Sequence, residues 1–199
     1  MKKYLFLLPL LSLGLTSCLG DDDDNSDKYA DWKKQNDEYL VNLENEVKAG
    51  RSEYTRISAN WAPQSSVFIK WHNDTTLTRK NLSPLSTSTV DIKYALEDIE
   101  GNDLGDSYSS SLGDSIYRSR PNQNIVGMWI AMQNMHVGDS VTMVIPYLSG
   151  YGTSGVSAIK PYSNLVYHVK IAKVKYTTEI SMRVSCNINH HALSPFRTV

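Results

Sequence analysis

The chain has 199 residues, of which 41% are hydrophobic and 21% charged, and its formal net charge is −1. That balance is ordinary for a globular domain. It offers no basic surplus of the kind that draws a protein to nucleic acid, so no nucleic-acid partner is expected.

Lys2 and Lys3 open the chain, Tyr4 to Leu15 is almost wholly apolar, and the run closes on Leu15-Thr16-Ser17-Cys18. A basic start, an apolar stretch and small residues form a secretory signal. The stretch is shorter than the ~20 apolar residues that a bilayer-spanning helix needs. Small residues followed by Cys resemble the lipobox of bacterial lipoproteins. The resemblance implies a signal peptide over 1–17, acylation of Cys18, attachment to a membrane through a lipid anchor, and export to the outer membrane. An ordinary signal peptide that contains a Cys is the alternative. Asp21 to Asp24 are four consecutive carboxylates. They repel one another and cannot pack, so 18–27 is expected to be a solvated tether. An acidic tract behind an acylated Cys also resembles the surface-export signal of some lipoproteins, with a plain linker as the alternative. About 170 residues then remain, enough for one domain with additions. With Cys18 acylated, Cys186 has no intramolecular partner and no disulfide framework exists. His190 and His191 lie near Cys186 without a carboxylate or second Cys, so no metal site is expected.

Residues 28–50 predict a helix. Tyr29, Trp32, Leu40, Leu43 and Val47 fall on one face, Ser26 or Asp27 can cap the start, and Gly50 stops it. The apolar face must dock on something. Within 51–88, a strand and loop leading into the main domain, Ser66 to Trp71 predicts a short strand, Asn73-Asp74 a turn, and Asn81 to Ser88 a loop. Residues 89–175 hold the dense strand signal. Val90, Ile92, Tyr94 and Leu96 alternate with more polar neighbours, as do Val141, Met143 and Ile145, and then Leu165, Tyr167, Val169 and Ile171. Between the first two runs, Ile125, Met128, Met132 and Met135 recur at helical steps, ending at Val137-Gly138-Asp139. The fold class is therefore α+β: an antiparallel sheet wrapped around one short helix, with an extra N-terminal helix. Residues 176–199 form a tail in which Tyr176 to Val184 can extend a strand.

Three blocks in 89–175 resemble the FKBP family of peptidyl-prolyl isomerases. Ile125-Val126-Gly127-Met128-Trp129-Ile130-Ala131-Met132-Gln133-Asn134-Met135-His136-Val137-Gly138 is similar to the family's V-I-x-G-W-x-x-A-L-x-x-M-x-x-G helix. Ile145-Pro146-Tyr147-Leu148-Ser149-Gly150-Tyr151-Gly152 resembles its I-P-x-x-x-A-Y-G turn. Ile159-Lys160-Pro161-Tyr162-Ser163-Asn164-Leu165-Val166-Tyr167-His168-Val169 resembles I-P-P-x-x-x-L-V-F-x-V. The resemblance covers less than half the chain and implies an FKBP-like fold around an apolar proline pocket. It also implies isomerisation of X–Pro bonds in exported polypeptides, with no cofactor and no metal.

The same resemblance assigns roles. Tyr94 is a pocket wall, Ile125 offers its backbone N–H to a substrate carbonyl, and Tyr151 offers its hydroxyl to another. Leu104, Asp106, Met128, Ile159 and Tyr167 are expected to bind substrate, Leu104 where the family has Phe and Tyr167 where it has Phe. Asp106 reaches its place only if the loop absorbs Gly105. The family's floor Trp directly follows the helix-opening Gly, whereas here Met128 does and Trp129 comes next. One position is about 100° of helix rotation, so Trp129 is expected to point away from the floor. The loop from Gly152 to Ala158 lacks the family's His, with Val156 nearest, and its paired aromatics are reduced to Ile116 and Tyr117. Without the resemblance, Tyr94, Ile125, Ile159, Tyr167 and the methionines read first as core, while Tyr151, between two glycines, reads as binding or packing alike. A non-catalytic binding module on the same fold is the second functional reading.

Overall fold

The computed structural model describes residues 28–110 and 113–176. The signal, the tether with Cys18, and 177–199 with Cys186 and the His pair lie outside the described residues. Chain order is α1 (Ala30–Lys48), β1 (Thr55–Ala59), β2 (Ala62–Trp71), a single helical turn α2 (Thr75–Thr78), β3 (Thr89–Glu97), β4 (Asp103–Asp106), a second single turn α3 (Ser107–Ser110), β5 (Tyr117–Ser119), α4 (Val126–Gln133), β6 (Ser140–Ile145) and β7 (Leu165–Lys175). Short 3-10 turns, Pro121–Gln123 and Tyr147–Ser149, precede α4 and follow β6.

The strands form one antiparallel sheet in the order β1-β2-β6-β7-β3-β4, with β5 paired to β3. The architecture is the expected α+β one. The alternation in β7 puts Leu165, Tyr167, Val169 and Ile171 inward and His168 and Lys170 outward. The inner face packs on α4, whose Ile130, Ala131 and Met132 are fully buried together with Met135 just beyond it. Gly127 lets the helix start lie against β6: a Cβ there would sit 2.3 Å from Cγ2 of the buried Ile145.

The sheet extends further toward the N-terminus than the alternation beyond residue 89 suggests. β1 and β2 belong to it, and β2 pairs with β6 from Phe68 opposite Val144 to Trp71 opposite Val141. β2 is ten residues long, longer than the expected strand, because its first residues, Pro63 and Gln64 among them exposed, extend beyond β6 and pair only with β1.

α1 is two residues shorter at each end than its periodicity suggests. Tyr29 occupies the N-cap position with no side-chain cap, and the end is a Schellman closure. There Gly50 adopts φ +67°, the Gly50 N–H donates to the Val47 carbonyl at 3.1 Å, and the Arg51 N–H donates to the Glu46 carbonyl at 3.0 Å. Its buried face carries Trp32 and, unexpectedly for a polar residue, Asn36. No helix among the described residues is long and apolar enough to cross a membrane.

Candidate functional site

Between the sheet and the start of α4 lies a cavity of about 270 Å³ lined by Ile92, Tyr94, Tyr117, Gln123, Asn124, Ile125, Met128, Tyr151 and Tyr167. That is several times the ~30 Å³ share of one water, yet below the ~300–1,000 Å³ of drug-sized ligand pockets. A small ring fits it better than a large ligand.

Each wall has a local cause. Tyr94 of β3 sits opposite Val169 in the ladder, one strand from Tyr167 of β7, and the rings meet at 5.8 Å between centroids. Tyr117 of β5 meets Tyr94 edge-on at 5.6 Å. β5 has only three residues, and Arg118 anchors it: its guanidinium donates to both Asp91 oxygens, at 2.6 and 2.9 Å. That bond holds the Asp91 carboxyl below its ordinary pKa. Met128 is buried on the cavity side of α4. Trp129, one position on, turns away and stacks on Trp61 with centroids 3.9 Å apart, as the helix rotation requires. Its indole N–H is buried and has no hydrogen-bond partner among the described residues.

Two groups can hold a peptide. The Ile125 carbonyl accepts the Trp129 N–H at 3.0 Å, opening α4, while the Ile125 N–H has no hydrogen-bond partner among the described residues. Tyr151 stands between Gly150 and Gly152, which has φ +69°, and its side chain is partly exposed at the cavity. The Asn124 amide donates to Ser119 Oγ at 2.9 Å and to the Arg120 carbonyl at 2.7 Å, fixing the turn that presents Ile125.

Among the described residues no Asp, Glu, Lys, Arg or His lines the cavity. Burial pushes the Tyr167 phenol well above its ordinary pKa, with Tyr151 and Tyr94 adding to the effect. Burial raises Tyr94 likewise, helped by Tyr117, Tyr151 and Asp106. These phenols are therefore neutral at neutral pH and act as hydrogen-bond donors and ring surfaces, not as bases. Among the described residues no three His, Cys, Asp or Glu side chains cluster as metal ligands.

Of the eight residues assigned from sequence to catalysis or substrate, the structure brings together Tyr94, Ile125, Met128, Tyr151 and Tyr167. Leu104, Asp106 and Ile159 stand outside the lining. Leu104 lines a separate cavity of about 310 Å³ beside Lys160 and Ser163. Asp106 pairs with Ala95, and its carboxylate accepts the Ser109 N–H at 2.5 Å and the Ser109 hydroxyl at 3.0 Å. Ile159 packs on the core and exchanges backbone hydrogen bonds with Val156. Gln123 and Asn124 also line the cavity; polar residues in a turn before a helix give no distinctive sequence signal.

Residues 81–172 match the family model described as FKBP-type peptidyl-prolyl cis-trans isomerase. The FKBP-type peptidyl-prolyl cis-trans isomerase FkpA of Escherichia coli is 31% identical over 96 residues, covering 48% of this chain and 34% of that protein. Peptidyl-prolyl cis-trans isomerase FKBP15-3 of Arabidopsis thaliana is 34% identical over 79 residues, covering 39% of this chain and 54% of that one. The chain thus spans about a third of the first relative's length and about half of the second's. Among solved structures, FkpA from Escherichia coli superposes with TM-score 0.60 at 22% identity, over 76% of this chain and 62% of that one. A peptidyl-prolyl isomerase from Pseudomonas syringae superposes with TM-score 0.53 at 20% identity, over 70% of this chain and 96% of that one. The fold is FKBP-like, and the matches support the FKBP-type isomerase family for the segment that builds the cavity.

Proposed function

We propose that this chain isomerises X–Pro bonds of exported polypeptides, held at a membrane by a lipid on Cys18. The observation that carries the enzymatic part is the aromatic cavity, whose described lining holds no Asp, Glu, Lys, Arg or His and is built by the segment that matches the isomerase family. Rotation about a peptide C–N bond is opposed by its partial double-bond character, a barrier of about 18–20 kcal/mol. A twisted amide has lost resonance, so its carbonyl is less polarised and holds water less firmly. A pocket that seats the proline ring against Tyr94, Met128 and Tyr167 and excludes water favours that twisted state. The Ile125 N–H, without a partner among the described residues, and the Tyr151 hydroxyl fix the flanking carbonyls, so that only the central bond turns. The step needs no proton transfer, which agrees with a lining without titratable acid–base pairs.

A protease-coupled assay with a proline tetrapeptide tests this. Acceleration over the spontaneous tens-to-hundreds-of-seconds exchange is expected; an unchanged rate removes the enzymatic reading. The lipid anchor rests on the Leu15-Thr16-Ser17-Cys18 run. Mass spectrometry of the membrane-extracted protein should find an acylated N-terminal Cys18, and Cys18→Ala should release the protein from the membrane. An unmodified Cys18 contradicts the anchor alone.

A non-catalytic binding module is favoured by three departures from the family pattern: Met128 in place of the indole, Gly105 where Asp is expected, and a loop without the usual His. It predicts proline-peptide binding without acceleration.

A further inference from the structure

Tyr151 belongs to a segment, Pro146 to Asn164, with little regular structure of its own. Its backbone is held through Tyr147: the N–H groups of Gly150 and Gly152, on either side of Tyr151, donate to the Tyr147 carbonyl at 3.0 and 2.8 Å. The Tyr147 N–H in turn donates to Asn164 Oδ1 at 3.0 Å. Asn164 then reaches across to α1. Its backbone N–H donates to Asn36 Oδ1 at 2.8 Å, and its Nδ2 donates to the Asn36 carbonyl at 2.7 Å. Asn36 Nδ2 donates within its own helix to the Trp32 carbonyl at 2.9 Å. Both amide side chains are fully buried.

The same helix grips the segment at a neighbouring point. Trp32 Nε1 donates to Ser163 Oγ at 2.9 Å, and the Lys160 ammonium lies 4.3 Å from the Trp32 ring centroid. Between these grips Tyr162 is held at φ +62°, which is costly for a residue with a side chain, and its N–H donates to the Gly152 carbonyl at 3.1 Å. Its ring meets Tyr147 edge-on at 5.7 Å.

We propose that α1 is a positioning element for the cavity, and that Asn36 acts as its positioning residue through Asn164 and Tyr147 on Tyr151. The proposal rests on the reading of the cavity as a proline site. A purely apolar helix face would attach α1 but let it slide or roll on its partner. A fully satisfied buried amide pair allows one register, because any shift leaves polar groups unpaired in a dry interior. α1 lies outside the segment that matches the isomerase family, so this support is an addition to the matched unit.

A double-mutant cycle on the full-length protein tests this. Asn36→Ala should lower kcat/KM for a proline tetrapeptide roughly 10- to 100-fold, the order expected when a catalytic group is displaced by about an ångström. Tyr151→Phe should cost a similar factor, and the double variant should be no slower than the slower single. Combined with Met128→Ala, the Asn36→Ala loss should instead multiply in full. In parallel, the NMR signal of the Tyr151 ring should shift in Asn36→Ala while those of Tyr94 and Tyr117 stay. Should Asn36→Ala not fold, Asn36→Ser takes its place in the same cycle. An undiminished Asn36 effect in the Tyr151→Phe background, or an unmoved Tyr151 signal, overturns the proposal. If the unaltered protein gives no acceleration, the isomerase reading falls separately. The Tyr151 signal still decides the positioning claim: movement confined to it supports the claim, and no movement overturns it.

Discussion

Met128 decides how good the floor of the cavity is. A thioether is soft and adaptable, but it presents less flat surface to a pyrrolidine ring than an indole does. The chain still has a tryptophan nearby, yet Trp129, about 100° round α4 from Met128, is committed to Trp61. Met128→Trp places an aromatic ring beneath the proline without disturbing that pair. An aromatic contact adds about 0.5–1.5 kcal/mol beyond its area, so kcat/KM should rise about 2- to 10-fold in the coupled assay. A fall, with the protein still folded by circular dichroism, would mean that the methionine is fitted to its place and that the floor is closed. The rotation of Trp129 away from the floor follows from counting positions after Gly127. The companions Gln123 and Asn124 do not follow from any count, because a turn residue acquires its role only when β5 and α4 are placed around it.

At the scale of elements, the seating of α4 on β6 governs the cavity, since Ile125 and Met128 flank the contact at Gly127. Gly127→Ala should destabilise the protein despite the better helix propensity of alanine. A Cβ 2.3 Å from Ile145 cannot be relieved by a flexible side-chain end, because the contact is to a β-branched, fully buried residue. Overpacking of this kind costs about 1–3 kcal/mol, to be read as a lower midpoint in urea unfolding. An unchanged or higher midpoint would show that the helix can lift off β6 freely. β7 was legible in the sequence because it buries one face, so burial imprints a period of two on its residues. β3 and β6 carry the same alternation of large apolar with smaller or more polar residues, although Asp91, Thr142 and Val144 are buried too, and α4 shows through the helical spacing of its methionines. β1, β4 and β5 left no such imprint. Thr55 to Ala59 has a single large apolar residue, Ile57. Asp103-Leu104-Gly105-Asp106 reads as a turn, with Gly105 at φ +131°. Tyr117 to Ser119 is too short to show any period. α1 was legible from Trp32 and its leucines, whereas Asn36 was not, since a polar residue on an apolar face signals nothing until its partner, 128 positions on, is known.

The whole molecule is more than the family-matched segment. Residues 81–172 supply β3 to most of β7 and every residue of the cavity lining. β1 and β2 widen the same sheet, and α1 is tied to the segment that carries Tyr151. On the proposed function, an X–Pro peptide seats in the cavity and turns there. The most direct measurement is exchange NMR on a proline peptide with the full-length protein added below stoichiometric amounts. Cis–trans exchange cross-peaks absent from the peptide alone are expected, with shift changes on the protein confined to Tyr94, Ile125, Met128, Tyr151, Tyr167 and their neighbours. Cross-peaks no stronger than without protein, or shift changes located away from that cavity, would contradict it.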